Sequence, residues 1–254
     1  MTLPAAYAHV AIVPPEVLEP GLVKQAAGIL DKDPYETRLL LAGKIPRIIA
    51  HYQTGELAEP VVRRLRSLGL VVILCTDSEL ARHSAAFRAH SLKFGDGEVT
   101  FSGEGSQQRI IKANDLFLIL EGTMLTRSDK ETTKTTKKFN LTATIITGGI
   151  PVWSKVKVKT GELSFQSEYF VRLYDKTSSD PVIEILQNEL DYSFLGTKKA
   201  SSCLANLQEV VKGLRQAFPA AIFDDNLTEP FTTPKEDVEV PCKVIYLCRR
   251  AASS

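Results

Sequence analysis

Residues 91–101 read Ser-Leu-Lys-Phe-Gly-Asp-Gly-Glu-Val-Thr-Phe, and this stretch decides the fold. Two short strand-like segments flank Gly95-Asp96-Gly97, a combination that is typical of a β-hairpin and its turn. Beyond this point apolar residues recur at every second position, whereas before residue 90 they recur at every third or fourth position. Since these are the spacings of strands and of helices, the sequence predicts a change of architecture near residue 90.

C-terminal to this change the sequence predicts a β-rich domain over residues 91–222. Thr126–Lys138 is polar and predicts a loop between two strands, while Gly148-Gly149 and Thr160-Gly161 predict turns. The predicted strands after the hairpin lie at Leu116–Leu125, Phe139–Ile145, Val152–Val158, Tyr169–Tyr174 and Val182–Leu186.

The C-terminal part of the chain predicts one helix and a tail. Residues 201–218 have Leu207, Val211 and Leu214 at helical spacing, so we expect an amphipathic helix that caps the strands. Residues 223–254 are acidic and contain prolines, and they predict a loosely held tail with a last strand at Val244–Leu247.

The N-terminal residues 1–76 predict a small α/β module. Helical spacing predicts helices near 16–30, 34–42 and 59–68, with strands at Tyr7–Val13 and Leu70–Leu74. A linker helix is predicted over 77–90. The predicted fold class is therefore α+β: a small α/β sandwich module, then an antiparallel β barrel or sandwich capped by a C-terminal helix.

Two parts of the chain resemble known families. Leu39–Pro46, Glu59–Arg66 and the segment Ser67-Leu68-Gly69-Leu70-Val71-Val72 resemble the C-terminal domain of the bacterial ribosomal stalk protein, over about 75 residues. The family's Gly-Leu-Gly-Leu-Lys segment is replaced here by Leu30–Pro34, so the resemblance implies the fold without its translation-factor binding. Residues 91–220 resemble a pleckstrin-homology-like domain in the order of their strands and helix.

Composition argues against a nucleic-acid-binding protein held by overall charge, a transmembrane protein and a Cys-x-x-Cys protein. The net charge of +1 gives no overall attraction to nucleic acid or membranes. No apolar run of about 18 residues or signal peptide is seen, and Cys75, Cys203, Cys242 and Cys248 form no Cys-x-x-Cys pair. We therefore expect a cytoplasmic protein with no transmembrane segment, in which Cys75 and Cys203 are buried free thiols. A disulfide between Cys242 and Cys248 would require that segment to turn back on itself.

The segment 127–159 is the candidate anion-binding site, with eight basic residues against two acidic ones, a net charge of +6. Lysine and arginine beside hydroxyl groups and one tryptophan could bind a lipid headgroup or nucleic acid. The candidate residues are Arg127, Lys130, Lys134, Lys137, Lys138, Trp153, Lys155, Lys157 and Lys159.

Three alternatives explain this segment without an anion. Thr126–Lys138 could be a solvated loop, and lysines on an exposed strand discourage edge pairing. Residues 180–239 have five basic and eleven acidic residues, a net charge of −6. The two blocks could therefore pair within one molecule or between copies, which would make self-association an alternative.

No catalytic motif is seen. The chain has neither a Gly-rich phosphate-binding loop nor a Gly-x-Ser-x-Gly motif, and its histidines lack the spacing of metal ligands. The acidic candidates Asp175, Asp180, Glu184, Asp224 and Asp225 are explained more simply as turn or surface residues. We expect no cofactor or metal, and a non-catalytic protein-interaction or regulatory module. The alternatives are an anion-binding adaptor and an enzyme with an unrecognised site.

Overall fold

The computed structural model describes residues 7–81, 85–139, 153–228 and 238–253, and between residues 126 and 166 it describes the backbone alone. Within these ranges the helices are α1 Pro20–Leu30, α2 Pro34–Leu41, α3 Gly55–Ser67, α4 Asp77–Ala81, α5 Cys203–Ala217 and α6 Glu239–Ala252. The strands are β1 Ala8–Ile12, β2 Arg47–Tyr52, β3 Val72–Thr76, β4 Phe87–Arg88, β5 Ser91–Phe94, β6 Glu98–Ser102, β7 Gln108–Lys112, β8 Leu116–Phe139, β9 Trp153–Asp175, β10 Ile183–Leu186 and β11 Ile222–Leu227.

The N-terminal elements form a three-stranded sheet in the order β2-β1-β3, with both outer strands antiparallel to β1. Strands β1 and β3 confirm the two predicted strands. Strand β2 was not predicted, because Arg47 and His51 interrupt its apolar residues and leave no regular alternation. A bulge between Val10 and Ala11 shifts its pairing register with β1.

Helices α1, α2 and α3 contribute to the core on one face of this sheet. Asp33 caps α2, since its carboxylate accepts a hydrogen bond from the Tyr35 amide at 2.7 Å, and Pro34 follows in the first turn. Helix α3 begins at Gly55, so the start predicted at Glu59-Pro60 is wrong, and Pro60 lies inside the helix. The shared core contains Val10, Ile12, Ala26, Leu41, Val62, Leu65 and Val72.

The prediction of a single linker helix over residues 77–90 is wrong. Helix α4 ends at Ala81, and Phe87–Arg88 forms strand β4, which pairs in parallel with β10. The short helix is fixed by a reciprocal cap: the Thr76 hydroxyl accepts from the Glu79 amide, and the Glu79 carboxylate accepts from the Thr76 amide. Further along, the Phe87 amide donates to the Val182 carbonyl oxygen and the Ala89 amide to the Glu184 carbonyl oxygen, so these two amides take part in sheet pairing and not in a helix.

The predicted hairpin at Gly95-Asp96-Gly97 is confirmed. Strand β5 pairs with β6 in the register Leu92 to Phe101 and Phe94 to Val99, and β7 completes a second three-stranded sheet. Gly97 adopts a positive φ of 75°, which glycine reaches without the steric cost of a side chain.

The third sheet has five strands in the order β11-β8-β9-β10-β4. It is mixed, since β11 is parallel to β8 and β4 is parallel to β10, while β10 is antiparallel to β9. The three described sheets are open, and together with the helices they confirm the predicted α+β class.

Strands β8 and β9 are longer than predicted. Strand β8 continues to Phe139 through the predicted loop Thr126–Lys138, and β9 continues through the predicted turn at Thr160-Gly161. Both predictions were therefore wrong. The segment 126–138 is rich in threonine, a β-branched residue that favours strands, although its polarity suggested a loop. Residues 140–152, with the predicted Gly148-Gly149 turn, lie outside the described residues.

The C-terminal strand predicted at Val244–Leu247 is also wrong, because residues 239–252 form helix α6. One side of α6, with Val244 and Cys248, packs with Ile73 of the N-terminal sheet. Its other side, with Cys242, Ile245 and Tyr246, packs with residues of the five-stranded sheet. A helix that is buried on two sides gives a continuous apolar run, which periodicity alone does not distinguish from a strand.

Ion pairs join α6 to its surroundings. The ammonium group of Lys243, which is 1% exposed, lies 3.0 Å from Asp180 Oδ1 and donates to the Glu79 carbonyl oxygen at 3.4 Å. Arg249 donates to Asp224 at 2.7 Å. Lys243 and Asp224 were predicted to lie in a loosely held tail, yet both are buried.

Contacts divide the chain into two compact units. One is Leu125–Ser167, and the other contains the residues before and after it. The predicted boundary between residues 76 and 91 therefore falls inside the larger unit. The predicted regions 1–76, 91–222 and 223–254 all contribute elements to that unit.

We expect Lys243→Ala to lower the free energy of unfolding by about 1–3 kcal/mol, because it removes a buried side chain together with its ion pair to the partly buried Asp180 carboxylate. Urea unfolding monitored by circular dichroism measures this change. Lys176→Ala, at an exposed lysine, is the matched control and should change stability by less than about 0.5 kcal/mol. A loss below about 1 kcal/mol for Lys243→Ala would contradict the structural role given to this pair.

Candidate functional site

Helix α5 organises the candidate site. The helix predicted at 201–218 is confirmed over Cys203–Ala217, and the Ser202 hydroxyl caps it by accepting from the Ala205 amide at 3.1 Å. The predicted apolar stripe is buried in the core of the β-rich part. Because that stripe is inward, the opposite face of α5 is exposed and carries Gln208, Lys212, Arg215 and Gln216.

A first cavity of about 600 Å³ lies along one side of this exposed face. Its apolar lining comes from the end of β5 and from the 3₁₀ segment Tyr192–Lys198, and includes Phe94, Phe194 and Leu195. Lys198 and Lys212 supply positive charge, and Glu209 supplies negative charge. The cavity therefore combines an aromatic surface with a small excess of cations.

The contact between Phe94 and Gly213 shapes the first cavity. A Cβ atom built on Gly213 would lie 2.5 Å from Phe94 Cζ, so the ring rests directly against the helix backbone. Phe94 is nevertheless 37% exposed. The missing side chain at Gly213 thus allows an aromatic ring to lie against α5 and remain accessible from solvent.

A second cavity, of about 420 Å³, lies beside Lys212 and Gln216, which also line the first. Glu121 of β8 and Asp225 of β11 face it from two adjacent parallel strands. The Arg215 guanidinium carbon is 4.2 Å from the centre of the Phe223 ring, a cation–π contact. The two cavities therefore form one surface along α5.

Burial raises the pKa of the Glu121 carboxyl, and the nearby negative charge of Asp225 raises it further, while Arg215 opposes the shift. Among the described residues no side chain forms an ion pair with Glu121 or Asp225. Two neighbouring carboxyl groups, one of them partly buried, thus give the second cavity an acidic character.

A separate cluster of buried charges surrounds Arg172. Its guanidinium group donates to Glu184 at 2.8 Å and to Glu239 of α6 at 2.9 Å, and Arg88 also pairs with Glu184. Burial raises the pKa of the neighbouring Cys242 thiol to about 12. The paired charges of this cluster join strands β9 and β10 to helix α6.

Two histidines meet on neighbouring strands of the N-terminal sheet, His9 on β1 and His51 on β2. His9 Nδ1 lies 2.7 Å from His51 Nδ1, and His9 Nε2 lies 2.7 Å from Asp77 Oδ1. Two Nδ1 atoms can share a hydrogen bond only when one of them carries the proton. The sequence did not predict this cluster, because the unpredicted strand β2 brings His51 opposite His9.

The remaining histidines and acidic candidates have local roles. His90 lies 3.3 Å from the Glu189 carbonyl oxygen, and His83 lies outside the described residues. Asp175 accepts from the Thr177 and Ser178 amides in a turn. Asp180, Glu184 and Asp224 form ion pairs, so of the acidic candidates Asp225 faces the second cavity.

The structure places the backbone of the predicted anion-binding residues on two strands. Arg127, Lys130, Lys134, Lys137 and Lys138 lie in β8, and Trp153, Lys155, Lys157 and Lys159 lie in β9. Their side chains lie outside what the structure describes. None of them is among the described residues that line the two cavities beside α5.

In the part of the chain that is described, no three His, Cys, Asp or Glu side chains are placed to hold a metal ion. No described helix has the length and apolar character needed to cross a membrane. All four cysteines are free; Cys75, Cys242 and Cys248 are buried, whereas Cys203 is exposed rather than buried as predicted.

The chain matches no protein-family model, no curated protein and no solved structure. The resemblances to the ribosomal stalk domain and to pleckstrin-homology-like domains therefore stay predictions. The candidate site is defined by its geometry alone.

We expect Glu121→Gln to raise the free energy of unfolding near pH 7. The folded chain holds the Glu121 proton to a higher pH than the unfolded chain, so this residue's contribution to stability is lost as pH rises. The gain should vanish below the ordinary glutamic acid pKa of about 4.3.

Urea midpoints at several pH values measure the effect of Glu121→Gln, with Glu16→Gln at an exposed carboxylate as the control. A gain that is equal at pH 4 and pH 7, or one that the control reproduces, would show that the burial of Glu121 is not its cause.

For the histidine pair we expect a double-mutant cycle of His9→Ala and His51→Ala to give a coupling energy of about 1 kcal/mol at neutral pH, the net value of one hydrogen bond. Thermal or urea unfolding of the four proteins measures it. Purely additive effects would mean that the two imidazoles do not interact in solution.

Proposed function

We propose that this protein is a non-catalytic interaction module that binds another protein through the exposed face of α5. The observation that carries the proposal is the continuous surface of two adjoining cavities, with the accessible Phe94 ring seated on Gly213. Protein interfaces concentrate their binding energy in such recesses, which receive one or two large side chains of the partner.

The chemistry of the first cavity indicates its occupant. Phe94, Phe194 and Leu195 offer apolar surface, and burial of one large apolar side chain there would contribute about 1.5–3 kcal/mol. Lys198 and Lys212 outnumber Glu209, the acidic residue of the lining. A partner segment with an aromatic or long aliphatic side chain next to a carboxylate complements both properties.

The enzyme alternative would use the second cavity. Glu121 and Asp225 supply two carboxyl groups from different strands, as acid–base catalysis requires. The described lining of that cavity includes no histidine, cysteine or hydroxyl group. The first cavity, by contrast, offers the aromatic surface that docking uses, and we favour docking for that reason.

We further propose that the protein acts in the cytoplasm. Its four cysteines are free, and burial raises the pKa of the Cys75 thiol to about 11 and that of the Cys248 thiol to about 12. Unpaired buried thiols are the usual state of cysteine in a reducing compartment, and they support this location.

We expect Gly213→Ala to weaken partner binding at least about 10-fold, which corresponds to about 1.4 kcal/mol, because the added methyl group displaces the Phe94 ring. The fold should persist, since alanine favours a helix over glycine. The matched control is Gly28→Ala in α1, where an added Cβ has no neighbour within 4 Å.

The measurement begins with affinity purification of the tagged wild-type protein from its own cells. Each captured protein is then purified and titrated against wild type, Gly213→Ala, Lys198→Glu and Gly28→Ala. Support requires a partner whose affinity falls with the first two substitutions and not with Gly28→Ala. A set of partners that bind Gly213→Ala as tightly as wild type would overturn the proposal, and so would the absence of any captured protein.

A further inference from the structure

The two compact units of the chain differ in charge. The unit Leu125–Ser167 has eight basic residues and three acidic residues, Asp129, Glu131 and Glu162, which gives a net charge of +5. Since the whole chain totals +1, the remaining residues have a net charge of −4. The structural boundary therefore coincides with a charge boundary. Although the net charge of the whole chain is close to zero, the unit Leu125–Ser167 is cationic.

The backbone of this unit spreads its cations along two neighbouring strands. Strands β8 and β9 are hydrogen-bonded neighbours in the sheet order. Strand β11 pairs with β8 only up to Gly122, and β10 pairs with β9 from Phe170 onward. Among the described strands, therefore, only β8 and β9 enter the unit 125–167.

The spacing of the basic residues suits an extended polyanion. In β9, Lys155, Lys157 and Lys159 recur at every second residue, a rise of about 6.6 Å along a strand. This is close to twice the rise of about 3.4 Å per phosphate along one strand of DNA. The basic residues of β8 occupy Arg127–Lys138, with threonine and serine hydroxyls between them, which are also common phosphate ligands.

We propose that strands β8 and β9, over residues 126–139 and 153–167, bind duplex DNA through its phosphate backbone as a two-stranded ribbon. The major groove of B-form DNA admits a two-stranded β-ribbon, whereas the deep and narrow major groove of duplex RNA does not. Anionic membranes also attract clusters of basic residues, but they do not require the regular spacing along two extended strands that matches a row of phosphates. Duplex DNA is therefore the favoured polyanion.

This binding is independent of the proposed docking at α5. The residues that carry it lie in β8 and β9 beyond residue 125, and none of them lines either α5 cavity as described. One activity can thus fail in an experiment while the other persists.

The test is fluorescence anisotropy of the full-length protein with a labelled 20-base-pair DNA duplex of arbitrary sequence, at salt concentrations between 50 and 200 mM. We expect binding whose affinity falls steeply with salt: a plot of log affinity against log salt concentration should have a slope of about −0.9 per phosphate contact. Lys155→Ala/Lys157→Ala/Lys159→Ala should weaken binding at least about 10-fold and reduce the slope by about 2–3.

Two control proteins accompany the triple variant. Lys24→Ala/Lys112→Ala/Lys176→Ala removes the same charge from exposed lysines of the larger unit and should bind like wild type. Replacing residues 155, 157 and 159 by arginine preserves the charge and should preserve binding. Circular dichroism confirms that each variant is folded.

Duplex RNA and phosphatidylserine vesicles are tested in parallel. Stronger binding to duplex DNA than to either, lost in the alanine triple variant alone, supports the proposal. No binding at 50 mM salt would overturn it. Equal loss in the Lys24/Lys112/Lys176 variant would do the same, because the effect would then follow total charge. Preference for the vesicles or for RNA would also overturn the proposal, and would indicate that other polyanion as the ligand.

Discussion

The ammonium group of Lys243 lies beside the Asp180 carboxylate and the Glu79 carbonyl oxygen, almost wholly removed from solvent. An amine is buried at low cost only where such partners are fixed in advance. The three groups come from distant parts of the sequence: Lys243 from α6, Asp180 from the segment before β10, and Glu79 from α4. The position of α6 therefore depends on both the N-terminal elements and the β-rich part, and each constrains the others through it.

The same helix explains why the larger unit includes both ends of the chain. Apolar residues on two sides of α6 contribute to two cores, one with the N-terminal sheet and one with the five-stranded sheet. Arg172, Glu184 and Glu239 add a charge cluster that is paired within itself. Since these charges are paired within the interior, the binding that we propose uses other surfaces, namely the outer face of α5 and the basic strands β8 and β9.

The sequence predicted the elements whose burial is one-sided. The hairpin at Gly95–Gly97 and helix α5 have a regular apolar spacing, because each places one face on the core. The sequence did not predict the elements that are buried on two sides or whose apolar residues are irregularly spaced. Helix α6 read as a strand because both of its sides are apolar, and β2 was missed because Arg47 and His51 interrupt its pattern. The extensions of β8 and β9 were missed because their polar residues resemble those of a loop.

The sequence by itself determined the α+β class, the helix that carries the candidate docking face, and the concentration of lysine in residues 127–159. These follow from local periodicity and composition, which depend on neighbours along the chain. The tertiary structure decided that Phe94 rests on Gly213, that Glu121 lies near Asp225, and that His9 meets His51. Each of these contacts joins residues far apart in sequence, so it is set by sheet register and helix packing, which no local pattern encodes.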